Sequence, residues 1–478
     1  MVNETLCGFA AISIAMSGLA SAMPDERRDY SRLAKSIDTA VEKKALPSIV
    51  AVIFDDRRVL WSRTAGYSDV ASKTTPSLQT RYRLGSMAKA VTSTVLMIAE
   101  QRGKTSFDFK THVRSSTVRR QTSLDELVNM QAGLAQAVCY DGISGEDDPC
   151  GLAFADQFAV SIVDGRDRYS YSNMGPQLAA DALAKQLNES FEQVARDLLF
   201  LPAHMSDTTF DHTPAAAALA TSYDRDGKAY EHDFRIFPAA GAGLEGSAED
   251  LVRFAQLHLT GRLPDGRQLL TATSLARLHS APNGGFYGYG WGRIGAGTPN
   301  EVLISDGQVN GGQAMLLINP VRKIGALVLS NAAHDEVSGL AIEAIDTVVP
   351  GTAASFAVNV QRAQAAHETR MAAFLPPPDF NGAGSILIDG KRLRIKAAAH
   401  DNWLTAAIEG NETQQQPNSE VDEGFRGWAI SCPSQIRACR QPGATAKLWL
   451  SRGSGGLSGQ LQVTSFNGQL PFPVRLSR

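Results

Sequence analysis

Residues 86–100 (SMAKAVTSTVLMIAE) are the segment that most restricts how this chain can fold. Between Ser86 and Glu100 the only charged side chain is Lys89, and apolar residues occupy most of the helical circumference. A helix that is apolar on nearly all sides has to be buried inside the protein. The pattern therefore predicts a central helix covered on most of its surface, with a lysine that has little access to water.

Strand-like runs occur on both sides of this helix in the sequence. Residues 49–54 (IVAVIF) predict a buried strand, and a turn followed by a return strand from Val59 predicts a hairpin. Residues 310–318 and 324–329 predict further strands, while the stretch from about 105 to 290 is mostly helical or irregular in pattern. Predicted strands therefore lie on both sides of this middle stretch in the sequence.

The length of 478 residues exceeds that of one ordinary domain. Past Pro350 an Ala-rich stretch leads to three consecutive prolines at 376–378, which are typical of a stiff linker. Short alternating runs separated by Gly, Asn and Asp follow them. We therefore predict a main domain at 23–350, a linker at 351–378 and a small β domain at 379–478.

The N-terminal residues resemble a secretory signal. Residues 6–19 are apolar, and Ala20-Ser21-Ala22 fits cleavage after Ala22, which predicts a signal peptide at 1–22 and a secreted or periplasmic protein. This leader has no Lys or Arg, so a buried N-terminal helix or a wrongly assigned start codon are the alternatives. No later stretch is long and apolar enough to predict a membrane span.

The five cysteines agree with export. Cys7 lies in the leader, and the others form two local pairs, Cys139 with Cys150 and Cys432 with Cys439. An even number in close pairs predicts disulfides in an oxidising compartment, with the pairing chosen by proximity. A metal site is the alternative, but the Cys-x-x-Cys spacing and nearby His that zinc sites use are absent from the sequence.

The overall charge gives no indication of a nucleic-acid partner. The chain has 46 basic and 49 acidic residues, with no basic stripe interleaved with aromatic side chains. No motif calls for a metal or another cofactor.

Ser86 and Lys89 are three residues apart at the start of the predicted helix, so both side chains lie on one face. Serine needs a neighbouring base to act as a nucleophile, and a lysine removed from water has a lowered pKa and can accept the proton. Roughly one Ser-x-x-Lys is expected by chance in a chain this long, and a helix cap followed by a surface lysine is the alternative. The uncharged surroundings of Lys89 favour a catalytic pair.

Tyr171 and Asn173 follow about eighty residues later. A tyrosine phenol can act as base or acid, and an asparagine amide can orient the lysine and the substrate. Alone, this tripeptide is equally typical of a turn with a packed tyrosine.

Together these segments resemble the serine β-lactamase and penicillin-binding-protein superfamily, in its class C β-lactamase-like branch. That branch also contains carboxylesterases, D-aminopeptidases and DD-peptidases. The resemblance implies an α+β fold, with an antiparallel sheet flanked by helices and an all-helical insert, in addition to the small C-terminal β domain. Its segments are residues 82–89 (YRLGSMAK), 124–134 (LDELVNMQAGL), 171–175 (YSNMG), 201–210 (LPAHMSDTTF), 240–254, 287–291 (YGYGW) and 329–331 (LSN).

The family's third motif, Lys-Thr-Gly or His-x-Gly, corresponds by its distance from Pro320 to Ser305, Asp306 and Gly307. Gly307 allows a close approach of the backbone to a substrate, but Ser305 replaces the cation or imidazole of the family. The resemblance implies an oxyanion hole formed by the backbone N–H groups of Ser86 and Gln308. Matching residues 307–310 to the His-x-Gly segment is the alternative, and it breaks the spacing to Pro320.

This departure bears on the substrate. A lost cation and an added carboxylate disfavour an anionic ligand such as a β-lactam, since like charges repel. We therefore expect an esterase, D-aminopeptidase or DD-peptidase type of serine hydrolase with Ser86, Lys89 and Tyr171 as catalytic residues. Its expected partner is a small-molecule ester, amide or peptide substrate. Asn173, Ser305, Gly307 and Gln308 are the predicted substrate-binding residues. A β-lactamase and a non-catalytic binding module on the same scaffold are the alternatives.

Overall fold

The structure is a computed structural model. It describes residues 28–43, 46–114, 119–134, 136–143, 169–212, 219–282, 286–359 and 361, and residues 380–477 with gaps at 389–390, 401–402, 411–413, 418–419, 423–424, 431, 433–438, 440–443, 454–455 and 466–467. The predicted signal peptide, Cys150 and the three linker prolines lie outside the described residues.

The helices are α1 Ser31–Lys43, α2 Ala88–Gln101, α3 Leu124–Val128, α4 Met174–Leu187, α5 Phe191–Ala195 with a following π-helical turn Arg196–Phe200, α6 Ala239–Ala242, α7 Ala248–Thr260, α8 Ala272–Leu278 and α9 Asp335–Val348. The strands are β1 Ser48–Asp55, β2 Val59–Gly66, β3 Arg81–Gly85, β4 Lys110–Arg114, β5 Arg119–Ser123, β6 Val138–Asp141, β7 Arg235–Phe237, β8 Leu244–Ser247, β9 Tyr287–Gly288, β10 Trp291–Ile294, β11 Val302–Val309, β12 Gly312–Asn319, β13 Ile324–Ser330, β14 Phe380–Ile388, β15 Lys391–His400, β16 Trp403–Ile408, β17 Gln414–Pro417, β18 Glu420–Asp422, β19 Phe425–Ile430, β20 Thr445–Gly453, β21 Gly456–Ser465 and β22 Gly468–Ser477.

A seven-stranded antiparallel sheet in the order β2-β1-β13-β12-β11-β10-β9 forms the centre of the main domain. Successive side chains of β1 enter different cores: Val50, Val52 and Phe54 contact the core that contains α2, and Ile49 and Ile53 contact the core that contains α1 and α9. A strand buried on both faces reads as a continuous apolar run, which explains the predicted strand at 49–54. The prediction of this strand and its hairpin is confirmed.

Helix α2 is the buried helix that the sequence predicts. Every residue from Ala88 to Ala99 is buried, including Lys89. The helix contacts α4, α6 and α8 and shares its core with one face of the central sheet. Because it is enclosed on all sides, α2 can place a side chain from its first turn in the interior, between the sheet and the helices.

The middle of the chain contains short strands as well as helices. The two-stranded pairs β3–β8 and β4–β5 lie in this region, together with α3, α4 and α7. The fold is therefore α+β, as predicted, with helices and antiparallel sheets mixed more closely than an all-helical insert implies. Strand β3 leads directly into α2 and so carries the turn that contains Ser86.

The C-terminal region forms a second antiparallel sheet, in the order β17-β16-β15-β14-β22-β21-β20-β19-β18, as the predicted small β domain requires. It is joined to the main domain because β22 pairs with β6, with Gly468 opposite Cys139. Cys432 and Cys439 form the predicted disulfide. Cys139 is also disulfide-bonded. No helix among the described residues is long and apolar enough to cross a membrane.

Two histidines form a buried hydrogen-bonded pair behind α2. Thr94 Oγ1 donates to the Ala90 carbonyl at 2.8 Å, so it accepts from His258 Nε2 at 3.0 Å. His258 Nδ1 then has to accept from His279 Nε2 at 3.0 Å, which requires the His258 ring to be neutral. Burial lowers the pKa of both rings, and for His279 the value is about 4.

This pair predicts a loss of stability in acid. Below pH 6.5 an unfolded His279 is protonated, whereas the folded ring stays neutral down to pH about 4. The unfolded state then binds more protons, so the free energy of unfolding should fall between these pH values by at most about 3 kcal/mol. Urea unfolding across this range checks it. His279→Gln should weaken the dependence of the unfolding free energy on pH, whereas the exposed control His232→Gln should leave it as in the native protein. If the unfolding free energy changed equally with pH in all three proteins, the prediction would be contradicted.

Candidate active site

Ser86 lies in a sharp turn between β3 and α2, pressed against the end of β11. Gly85 has a φ of +56°, a conformation that side-chain-bearing residues rarely adopt. A Cβ atom added at Gly307 would lie 2.0 Å from the Leu84 carbonyl oxygen and 2.5 Å from the Ser86 nitrogen. Among the described strands, β10 pairs with β11 only up to Ile304, so the rest of β11 leaves an edge free for this contact.

A network of charges fixes strand β3, which leads into this turn. Arg81 pairs with Glu245 at 2.7 Å and Arg83 pairs with Asp233 at 2.6 Å. His212 joins the two pairs, with Nδ1 2.6 Å from Glu245 and Nε2 3.0 Å from Asp233. Burial lowers the pKa of His212, but hydrogen bonds to the two carboxylates outweigh this and raise it to about 9, so the ring is charged at neutral pH.

The Ser86 hydroxyl is held between two of the predicted partners. Lys89 Nζ lies 2.9 Å from Ser86 Oγ, and the Tyr171 hydroxyl donates to the same oxygen at 2.7 Å. Lys89 Nζ also lies 4.5 Å from the centre of the Tyr171 ring. Residues that are 85 positions apart in the chain therefore converge on one oxygen atom.

Lys89 is fully buried and is held by two further oxygens. Its Nζ donates to Asn173 Oδ1 at 2.6 Å and to the Gly241 carbonyl at 2.7 Å. Burial lowers the pKa of Lys89 well below its usual value, and the nearby Asp306 carboxylate offsets only part of this effect. A neutral amine keeps both of these donor bonds and points its lone pair at Ser86 Oγ.

The Gly241 carbonyl is a contact that the sequence did not identify. The segment around it was recognised only through the family resemblance, and a backbone oxygen carries no residue-specific signal. Thr92 Oγ1 donates to the Ala240 carbonyl at 2.8 Å, which ties this loop to α2. A Cβ atom added at Gly241 would lie 2.2 Å from the Asn173 carbonyl oxygen, so only glycine allows this approach.

Asn173 connects the site to the C-terminal sheet. Its Nδ2 donates to the Ala137 carbonyl at 2.9 Å, one residue before strand β6. Because β6 pairs with β22, the C-terminal domain lies close to the residue that orients Lys89. The sequence left open whether this domain hangs freely from its linker, and the pairing shows that it contacts the main domain.

The end of β11 places the predicted third-motif residues on two sides of the strand. Ser305 is completely buried, and its hydroxyl has no hydrogen-bond partner among the described residues. Asp306 and Gln308 are exposed. The side chain of Ser305, which was predicted to bind the substrate, points into the core instead, because side chains alternate along β11. Gly307 and the Gln308 backbone remain next to Ser86.

Two tyrosines that the sequence did not assign lie beside Tyr171. The ring of Tyr287 is 5.9 Å from that of Tyr171 and 6.4 Å from that of Tyr169, in edge-to-face arrangements. Tyr287 belongs to the segment 287–291 of the resemblance, but its sequence pattern gave no chemical role. Burial raises the pKa of Tyr287 well above its usual value, and the neighbouring tyrosines and Asp306 add to this rise.

Comparison with known proteins gives one family for most of the chain. Residues 33–348 match the family described as Beta-lactamase. Over 297 residues, covering 61% of this chain and 76% of the relative, the sequence is 26% identical to a protein named Beta-lactamase from Escherichia coli K12. Over 332 residues it is 23% identical to Protein flp from Staphylococcus aureus N315.

The match to Protein flp covers 66% of this chain and 65% of that protein, so the chain spans slightly less than two thirds of this relative. Among solved structures, the octameric penicillin-binding protein homologue from Pyrococcus abyssi superposes with a TM-score of 0.57 at 17% sequence identity. That similarity covers 93% of this chain and 100% of the other, so it extends into the C-terminal sheet. At this identity the match establishes a shared fold.

Proposed function

Because the chain belongs to the beta-lactamase family, we propose that it is a serine hydrolase that cleaves an ester or amide bond through an acyl-enzyme on Ser86. One observation carries this proposal: Ser86 Oγ lies 2.9 Å from the Nζ of a fully buried lysine and 2.7 Å from the Tyr171 hydroxyl. A weakly nucleophilic hydroxyl thus has an amine with a pKa lowered by burial in place to accept its proton.

In the first step Lys89 takes the proton from Ser86 Oγ, which attacks the substrate carbonyl carbon. The Asn173 and Gly241 oxygens hold the Nζ in place before and after the transfer, and they stabilise the ammonium that forms. When the bond to the leaving group breaks, the Tyr171 hydroxyl supplies a proton to that group, and Lys89 returns its own proton to the phenolate. Water then attacks the acyl-enzyme with the same groups acting in reverse.

The charge on the carbonyl oxygen would be stabilised by the backbone N–H groups of Ser86 and Gln308. The contact of Gly85 with Gly307 supports this assignment, since it places both amides at the same junction of the turn and β11. One such donor typically contributes about 3–4 kcal/mol to transition-state stabilisation.

Labelling with a fluorophosphonate probe tests the nucleophile. We expect one covalent adduct in the native protein, mapped by mass spectrometry to the peptide that contains Ser86, because the activated hydroxyl attacks the phosphorus as it would a carbonyl. Ser86→Ala should abolish the adduct, whereas Ser93→Ala, a buried serine later in the same helix, should keep it. An adduct that persists in Ser86→Ala would contradict the proposal.

The substrates that fit this site better than β-lactams are esters, amides and D-amino-acid derivatives that carry no negative charge near the scissile bond. The position where the family has a cation holds the buried Ser305, and the exposed Asp306 carboxylate would repel the carboxylate of a β-lactam. We expect kcat/KM for nitrocefin to be at least about tenfold below that for p-nitrophenyl acetate. Steady-state rates with both compounds check this, and faster nitrocefin turnover would favour a β-lactamase.

Export to the periplasm or the medium is part of the proposal. The disulfide between Cys432 and Cys439 supports it, because disulfides persist in oxidising compartments. N-terminal sequencing of the protein after expression in its exported form would show whether cleavage follows Ala22.

A further inference from the structure

Asp306 is a carboxylate beside the nucleophile, close enough to Lys89 that each residue shifts the pKa of the other. Its neighbour Gly307 touches the turn at Ser86, so Asp306 lies one residue, about 3.8 Å along the backbone, from that contact. Its side chain is exposed. Among the described residues, no lysine, arginine or histidine forms an ion pair with it, and no side chain is hydrogen-bonded to it.

Lys89 forms no hydrogen bond or salt bridge with this carboxylate, although both residues are among those described. Its Nζ is committed to Ser86 Oγ, Asn173 Oδ1 and the Gly241 carbonyl. Burial lowers the pKa of Lys89 well below its usual value, and the proposed mechanism uses its neutral form. Burial also raises the pKa of the Asp306 carboxyl, and Lys89 offsets this only in part, so an ammonium group bound beside Asp306 would favour its ionised form.

Aromatic rings border the same region. Tyr287 is coupled electrostatically to Asp306 and lies against both Tyr171 and Tyr169. The Tyr171 ring already has Lys89 Nζ over it, while Tyr169 remains partly exposed. Aromatic faces next to a carboxylate are the combination that attracts ammonium groups, through cation–π contacts and charge pairing.

We propose that the substrate of this hydrolase carries an amine or quaternary ammonium group near the scissile bond, bound by the Asp306 carboxylate with Tyr169 and Tyr287. This inference rests on the proposed function, since it concerns the substrate of the same site. It assigns to Asp306 the role of selecting cationic substrates and rejecting anionic ones. The ammonium group supplies the positive charge that the cleft lacks.

Two pairs of substrates that differ only in charge test this selection. The first pair places the charge in the leaving group: acetylthiocholine and S-(3,3-dimethylbutyl) thioacetate. The second places it in the acyl group: p-nitrophenyl 4-(trimethylammonio)butanoate and p-nitrophenyl 5,5-dimethylhexanoate. Carbon replaces nitrogen at almost the same volume, so the ratio of kcat/KM within a pair reports the charge alone. We expect a ratio of about ten or more in favour of the cation in at least one pair.

Asp306→Asn keeps the shape of the side chain and removes its charge, and it should lower that ratio to near one. Exposed Asp108→Asn is the matched control and should keep the native ratio. Ratios near one in both pairs for the native protein, or an unchanged ratio in Asp306→Asn, would overturn the inference. Fluorophosphonate labelling of Ser86 in the same samples separates the selection of cationic substrates from the proposed hydrolase function. If the native protein formed no adduct and turned over no substrate, the hydrolase function itself would be refuted.

Discussion

Replacing Lys89 by methionine should lower kcat for p-nitrophenyl acetate by about 10³-fold or more, because its amine is the group that accepts the Ser86 proton in the proposed mechanism. Methionine has a similar volume and no ionisable group, so it fills the buried space without a charge. The Asn173 and Gly241 oxygens lose their donor, which costs some stability but leaves the fold in place. Circular dichroism and steady-state kinetics on the same preparation separate folding from catalysis.

Exposed Lys104→Met, just past the end of α2, is the matched control and should retain native rates. Activity in Lys89→Met within tenfold of the native rate would show that Lys89 is not the base. Absence of turnover in the native protein with every ester tested would favour the alternative of a non-catalytic binding module.

Replacing Gly307 by alanine should reduce kcat/KM by about 100-fold or more and also lower stability. The new Cβ would lie 2.0 Å from the Leu84 carbonyl oxygen and 2.5 Å from the Ser86 nitrogen, and both are backbone atoms that cannot rotate away. Strand β11 or the turn at Ser86 must therefore move, and a displacement of about 1 Å at a reacting centre costs about 100-fold in rate. Rates with p-nitrophenyl acetate and thermal unfolding measure both effects.

Gly339→Ala is the matched control for this change. A Cβ at Gly339 meets nothing within 4 Å, and the residue lies inside α9, where alanine favours the helix. This variant should keep native activity and gain about 0.5–1 kcal/mol of stability. Native rates in Gly307→Ala would show that β11 does not support the turn at the nucleophile.

Much of the fold could be predicted because buried strands and helices are recognisable in the sequence by their apolar residues. Strand β1 is apolar from Ile49 to Phe54 since the two cores cover both of its faces, and α2 has no charged side chain between Lys89 and Glu100 since it is enclosed. The sequence also identified four residues of the site by the specific chemistry of their side chains and by the order of motifs in the resemblance. They are Ser86, Lys89, Tyr171 and Asn173.

The remaining features of the site depend on which atoms meet in space. The Gly241 carbonyl that holds Lys89 is a backbone group, and every residue has one. Whether Ser305 or Asp306 is exposed depends on the register of β11 with β12, and a shift of one residue exchanges the two faces. The charge pattern of the third motif was visible, but the side on which that charge lies was not.

By itself, therefore, the sequence determined the α+β class, the buried helix and the identity of the side chains around Ser86. Only the tertiary structure decided that β22 pairs with β6, one residue away from the Ala137 carbonyl that accepts the Asn173 hydrogen bond. It also decided that Asp306 is exposed beside the site while Ser305 enters the core. The physical reason is that the burial of a helix or strand produces a local, periodic pattern of apolar residues in the sequence. Strand pairing and close approach depend on partners that are hundreds of residues away.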